Sequence, residues 1–146
     1  MPLTVLGVES SCDETAVAIV RRSDEGSFEI LSNRVSSQTE LHKAYGGVVP
    51  ELAARAHVER ISLLLETACA ETGLDRKDID ALAVANRPGL IGALLVGVNA
   101  AKSLAWAWNR PLVDVDHIEA HLFSSILSGM PAGPHVEIGR ASCRGR

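Results

Sequence analysis

Aromatic side chains are scarce in this chain: two Trp, two Phe and one Tyr make up 3% of its 146 residues. A core must therefore rest on Leu, Val, Ile and Ala, and the 47% apolar content is enough to build one. Cysteine is equally sparse. Cys12, Cys69 and Cys143 have neither metal-motif nor disulfide-framework spacing, which fits a reducing cytoplasm. No basic run is visible, and the formal net charge of −4 gives no whole-chain pull toward nucleic acid. An RNA contact would need a local basic patch or a partner. The first residues, MPLTV, lack the basic and then apolar regions of a secretory signal. The longest apolar stretch, residues 90–98, is too short to span a bilayer. The expectation is a soluble cytoplasmic α/β chain with no membrane association.

What is present is regular hydrophobic patterning. Residues 4–9 (TVLGVE) predict a buried strand, residues 10–15 (SSCDET) a polar turn, and residues 16–20 a second strand. A turn around residues 25–27 leads to a third strand near 28–35, so the opening is an antiparallel meander. Residues 36–49 read as loop, with Gly46-Gly47 permitting unusual backbone angles. Pro50 suits the first turn of a helix. Val58, Ile61, Leu65 and Ala68 then recur at 3-4-3 spacing, and Gly73 is a natural stop. Leu63 and Leu64 lie off that stripe, which leaves two readings open: core on two sides, or a partner-facing helix.

Residues 81–85 (ALAVA) are wholly apolar, as in a central parallel strand. Pro88-Gly89 breaks the chain before a helix striped by Ile91, Leu94, Leu95, Val98, Ala101, Ala105 and Trp108. Gly92, Gly97 and Ala100 would let that helix pack closely. Residues 112–115 predict the next strand, and a helix begins at His117. The order βββ-α-β-α-β-α predicts a mixed α/β sheet of about five strands with flanking helices. It resembles one lobe of the ribonuclease H/actin-like ATPase (ASKHA) architecture.

Three constellations carry possible chemistry. His117 and His121 stand four residues apart just past a strand, so both imidazoles share one helical face and can reach one point. That makes half of a transition-metal site, or else a structural pair. The pattern is not H-E-x-x-H, because residue 118 is Ile and the intervening Glu is Glu119, so a metalloprotease geometry is not supplied. Asp114 and Asp116 are near in sequence and either join the site or close the strand. The turn holding Asp13 and Glu14 could position a cation or a water, or be a solvated hairpin turn. Arg87-Pro-Gly-Leu-Ile-Gly92 could approach an anion, but it lacks both glycine-rich nucleotide signatures and reads better as a tight βα turn.

Residues 137–146 (EIGRASCRGR) have no apolar period. They resemble the in-frame translation of a sequencing-adapter oligonucleotide, with a flexible basic tail as the alternative. The reading is therefore a lobe over residues 1–136 and a non-native tail over 137–146, and the likeness to one ASKHA lobe implies that the second lobe is absent.

Taken together, the runs VLGVESSCDETAVAIV (5–20), SSQTELHKAYGGVVPELAARAHVERI (36–61), RPGLIGALLVG (87–97) and HIEAHLFSSIL (117–127) resemble the TsaD family. These are tRNA N6-adenosine threonylcarbamoyltransferases, formerly labelled O-sialoglycoprotein endopeptidases. The resemblance implies a two-lobed ASKHA fold and transfer of a threonylcarbamoyl group from threonylcarbamoyl-AMP to N6 of adenosine 37 in tRNAs reading ANN codons. It implies one divalent metal, Fe²⁺ or Zn²⁺, held by His117 and His121, and a catalytic or phosphate-side role for Asp13 and Glu14. The metal would polarise or orient the threonylcarbamoyl group, which requires both imidazoles to be neutral. It also implies a catalytically silent paralogue subunit that pairs through the Pro50 helix, and a small ATPase subunit if the protein is bacterial. Arg87 departs from the Gly often found there in the family. The family's Ser-Gly-Gly-His motif and later Asp ligand are absent, so the fragment is expected to be inactive alone. The alternatives are a silent scaffold paralogue, which has no need of the histidine pair, or a metalloprotease.

Overall fold

Alternation of apolar side chains along the first three strands builds the fold. A computed structural model describes residues 1–127 of the chain. β1 (Leu3–Glu9), β2 (Glu14–Arg22) and β3 (Phe28–Ser37) form an antiparallel meander. β4 (Ala81–Arg87) pairs in parallel with β1, and β5 (Leu112–Asp116) pairs in parallel with β4. The five-stranded order is β3-β2-β1-β4-β5, so the apolar run around residues 81–85 is indeed a central parallel strand.

One face of the sheet carries Leu6, Val8, Val17, Ile19, Leu82 and Val84, all buried beneath two helices. These are α2 (Pro50–Thr72) and α3 (Ile91–Trp108), the second and third helices after a short α1 (Thr39–Lys43). Each fully buried Leu or Ile on this face stabilises the fold by about 1.5–3 kcal/mol. The opposite face is lined by smaller residues, among them Val5, Gly7, Ala18 and Ala83. There α4 (His117–Leu127) lies over a cleft of about 650 Å³ with Ala120, Phe123 and Leu127 toward it.

Several expectations change. Residues 36–49 are not all loop, because α1 interrupts them. A five-residue helix is too short to hold itself; tertiary contacts hold it, since His42 is buried with its Nε2 3.0 Å from Gln38 Oε1. The backbone N–H of Val49 also donates to His42 Nδ1 at 3.3 Å. β2 begins at Glu14, so that residue opens a strand rather than sitting inside the turn.

The inward face of α2 is also rotated from the Val58 stripe. Val58 is 62% exposed, whereas His57 is fully buried beside Ala53, Ile61 and Ala68. Leu63 is exposed, and Leu64 packs against the core. On α3, Ile91 and Leu95 face outward, while Ala93, Leu94, Gly97, Ala101 and Ala105 are buried. Close approach explains this choice: a Cβ at Gly97 would lie 2.5 Å from Ser10 Oγ and 3.4 Å from a Val8 methyl. At the closest contacts small residues therefore face the sheet, with Leu94 the large exception among the buried ones. By length and composition α3 as a whole, unlike residues 90–98 alone, is apolar enough to cross a membrane; here it packs on β1 and β4. Gly73 ends α2 with φ of 62°, as its position at the end of the stripe predicts.

Candidate metal-binding site

β1, β4 and β5 run parallel, so their carboxyl ends lie along one edge of the sheet, where open α/β sheets bind ligands. Glu9 ends β1, Arg87 ends β4, and Asp116 ends β5 with α4 following at once. Asp116 Oδ1 accepts from the backbone N–H groups of Ile118 (2.8 Å) and Glu119 (3.3 Å). It thus caps α4 and sets the direction in which His117 and His121 leave the helix. Arg87 forms ion pairs with Asp114 at 2.8 Å and Asp116 at 3.6 Å. The hydrogen bond that Arg87 donates to Asp114 lowers the Asp114 pKa and raises the Arg87 pKa. Asp114 and Asp116 therefore serve the strand ends, and Arg87 is engaged with them instead of facing an anion at the glycine turn.

That turn has a packing role. The backbone N–H of Leu90 donates to Ser11 O at 2.8 Å, and a Cβ at Gly89 would lie 2.6 Å from the same oxygen. Ser10 Oγ donates to Ala93 O (2.8 Å) and accepts from the Gly97 N–H (3.1 Å). The start of α3 thus pins the turn that leaves β1.

The two histidines meet. His117 Nε2 and His121 Nε2 are 3.1 Å apart, with the rings edge to face at 88° and centroids 4.6 Å apart. The 3.1 Å separation is a hydrogen-bond distance between the rings, and it also matches the about 3.0–3.4 Å between two nitrogens bound at about 2.0–2.1 Å to one zinc or iron, so the spacing is compatible with a shared metal. The other ring nitrogen of His117 is also engaged: Nδ1 lies 3.0 Å from Glu9 Oε2 and 3.2 Å from Ser11 Oγ. Burial pushes the Glu9 pKa up, but hydrogen bonds with His117 and Ser11 outweigh it and hold the carboxyl below its usual value. The same contact with Glu9 raises the His117 pKa against the opposing effect of burial. A reference value near 6.5 therefore understates how strongly His117 holds its proton, and any metal there would have to compete with it.

Asp13 and Glu14 are not gathered with this pair. Among the described residues no group of three or more His, Cys, Asp or Glu converges to hold a metal. Asp13 is half-buried and its carbonyl accepts from the Gln38 N–H at 2.9 Å, while Glu14 is exposed.

Behind that turn lies a buried polar network with no signature in the apolar pattern. His57 Nδ1 is 2.7 Å from Thr15 Oγ1, and His57 Nε2 is 3.0 Å from the carbonyl oxygen of Cys12. Gln38 Nε2 lies 3.4 Å from His57 Nδ1. Burial lowers the His57 pKa, so the ring is held neutral. Glu9 and Ser11 beside His117, and His57, His42 and Gln38 behind the turn, are polar residues that spacing rules alone pass over. The nearest sequence signal is the position of Glu9 at the end of a buried strand.

Fold and site together define a ribonuclease H-like lobe with a histidine pair at the carboxyl edge of its parallel strands. The chain belongs to the tRNA N6-adenosine threonylcarbamoyltransferase (TsaD) family, which it matches over residues 29–140. It is 56% identical over 123 residues to the tRNA N6-adenosine threonylcarbamoyltransferase of Bacillus subtilis, covering 84% of this chain and 34% of that protein. It is 48% identical over 136 residues to the namesake of Rhodopirellula baltica, covering 92% and 37%. The chain therefore spans a little over a third of the length of these relatives and corresponds to their amino-terminal region.

Solved structures agree in fold. YeaZ from Pseudomonas aeruginosa superposes with a TM-score of 0.56 at 20% identity, over 77% of this chain and 44% of that one. Thermus thermophilus RuvC superposes with 0.53 at 14% identity, over 92% and 85%.

Proposed function

We propose that this chain is the amino-terminal lobe of an enzyme that transfers a threonylcarbamoyl group from threonylcarbamoyl-AMP to N6 of adenosine 37 in tRNAs reading ANN codons. The observation that carries this reading is the convergence of His117 and His121 Nε2 at 3.1 Å, in a chain of this family. The pair would hold one divalent metal, Fe²⁺ or Zn²⁺, through both Nε2 atoms, with the remaining ligands outside the described residues. When bound, such a metal supplies Lewis-acid polarisation of the threonylcarbamoyl group. The chain's own residues do the rest. Asp116 and Arg87 fix the start of α4, Ser10 and Ser11 fix the turn after β1, and Asp13 and Glu14, apart from the histidine pair, would act toward the phosphate of the substrate.

A catalytically silent scaffold of the same complex is the second reading, and the histidine pair disfavours it, since a scaffold needs no such site. A metalloprotease is disfavoured by Ile118, which stands where the general base would follow the first His. The exposed Val58 and Leu63 on α2 and Ile91 and Leu95 on α3 suit a helical contact with a paralogue subunit, with a small ATPase as a further bacterial partner. The working compartment is the cytoplasm, where tRNA is modified.

We further propose that residues 137–146 are adapter-derived, a stretch that lies outside the described residues. Resequencing the locus tests this: a frame continuing past Val136 into relative-like sequence supports it, and an unchanged 137–146 followed by a stop codon contradicts it. The activity is tested by incubating the complete gene product and its partner subunits with threonylcarbamoyl-AMP and unmodified tRNA, then analysing nucleosides. Threonylcarbamoyladenosine from the wild type, lost in His117→Ala, is expected. No modified adenosine from the wild type overturns the reading.

A further inference from the structure

Glu9 is 108 positions from His117 in sequence, yet its carboxylate makes the closest polar contact that the His117 ring has outside α4. The two carboxylate oxygens are divided. Oε1 accepts from the Ser11 backbone N–H at 2.5 Å, and Oε2 lies 3.0 Å from His117 Nδ1. A carboxylate only accepts, so the proton between Glu9 and His117 belongs to Nδ1. The lone pair of a neutral His117 is then on Nε2, the atom that faces His121 Nε2. An unrestrained neutral histidine prefers the opposite tautomer, with its proton on Nε2. That form would close the metal-facing atom.

The carboxylate is itself held in place. Glu9 ends β1 between β2 and β4, and Ser11 is buried, with its carbonyl engaged by the Leu90 N–H at 2.8 Å. Ser11 Oγ lies 3.2 Å from the same Nδ1 and closes the cradle. A carboxylate behind a ligating imidazole fixes its tautomer and ring orientation and raises its basicity toward metal; losing it typically costs about 10–100-fold in affinity.

We infer that Glu9 is a positioning residue, which holds His117 in the Nδ1–H tautomer so that Nε2 is presented, beside His121 Nε2, to a divalent cation. This rests on the reading of the pair as a metal site, and the test separates the two. The first measurement needs no metal. Imidazole ¹⁵N NMR of the chain near neutral pH should show neutral His117 protonated on Nδ1, shifting toward Nε2–H in Glu9→Ala. Glu9→Gln keeps one accepting oxygen for two donors, the Ser11 N–H and His117 Nδ1–H, so its Nδ1–H fraction should fall between those of wild type and Glu9→Ala. The second measurement is Zn²⁺ or Ni²⁺ affinity by titration of the same proteins, each first checked for native circular dichroism. Affinity should fall about 10–100-fold in Glu9→Ala and by less in Glu9→Gln. Nε2–H His117 in the wild type, or an unchanged tautomer in Glu9→Ala, overturns the role of Glu9. Wild-type affinity equal to that of the His117→Ala/His121→Ala double variant overturns the metal reading and the presentation built on it. Unchanged affinity in Glu9→Ala, with the wild type binding through both histidines, overturns the positioning role alone.

Discussion

His117 Nε2 and His121 Nε2 stand 3.1 Å apart at the start of α4, close enough to be spanned by a single cation. Two imidazoles are half a coordination sphere. The chain by itself is therefore expected to bind Zn²⁺ or Ni²⁺ weakly, because an under-coordinated site gives up most of the binding free energy of a complete one. Titration against a chromophoric chelator checks this. Tight stoichiometric binding by the 146-residue chain would mean that its own residues complete the site.

His57 makes stability depend on pH. Burial is the largest influence on its pKa and lowers it; the hydrogen bond to the Cys12 carbonyl, then Glu9 and Asp13, act to raise it, and His42 to lower it. The unfolded chain has a histidine near the ordinary value of about 6.5 and takes up a proton there, while the folded ring resists one. The contribution is fully present above that value and is lost as pH falls toward and through the folded pKa. His117, with its raised pKa, works in the opposite sense: its contribution is present below about 6.5 and lost as pH rises through its folded value. The comparison must therefore be between proteins. Urea midpoints of wild type and His57→Asn at pH 7.5 and 5.5 should differ, the variant losing less stability on acidification. Equal losses would contradict a neutral, buried His57.

Gly97 leaves no room for a side chain where α3 meets the turn after β1. In Gly97→Ala the added carbon would sit 2.5 Å from Ser10 Oγ, and that hydroxyl is held by Ala93 O and the Gly97 N–H. Overpacking of this kind costs about 1–3 kcal/mol. Chemical denaturation should show that loss, and a midpoint within error of wild type would mean that the helix moves aside freely.

Most of the sheet is legible in the sequence, because period-2 alternation in β1 and β2 and the apolar run in β4 report burial directly. The i,i+4 spacing likewise foretells that His117 and His121 meet. What is not legible depends on polar residues in the interior. His57 takes the inward place that an apolar stripe assigns to Val58, because Thr15 and the Cys12 carbonyl satisfy its ring nitrogens. α1 forms because His42 finds Gln38 and Val49, partners that no local propensity reveals. Glu9 acquires its relation to His117 only when β1 and β5 come to flank β4 in the same sheet.

The most direct measurement is the threonylcarbamoyladenosine content of tRNA from cells whose only copy of the enzyme is a chimera. In it, residues 1–127 of this chain replace the matching stretch of the Bacillus subtilis relative. The account predicts modified tRNA with the chimera, and none when His117 and His121 are both changed to Ala in a protein that accumulates to the same level. A stable chimera that leaves the tRNA unmodified, or a double variant that modifies it as well as the parent, would contradict the account.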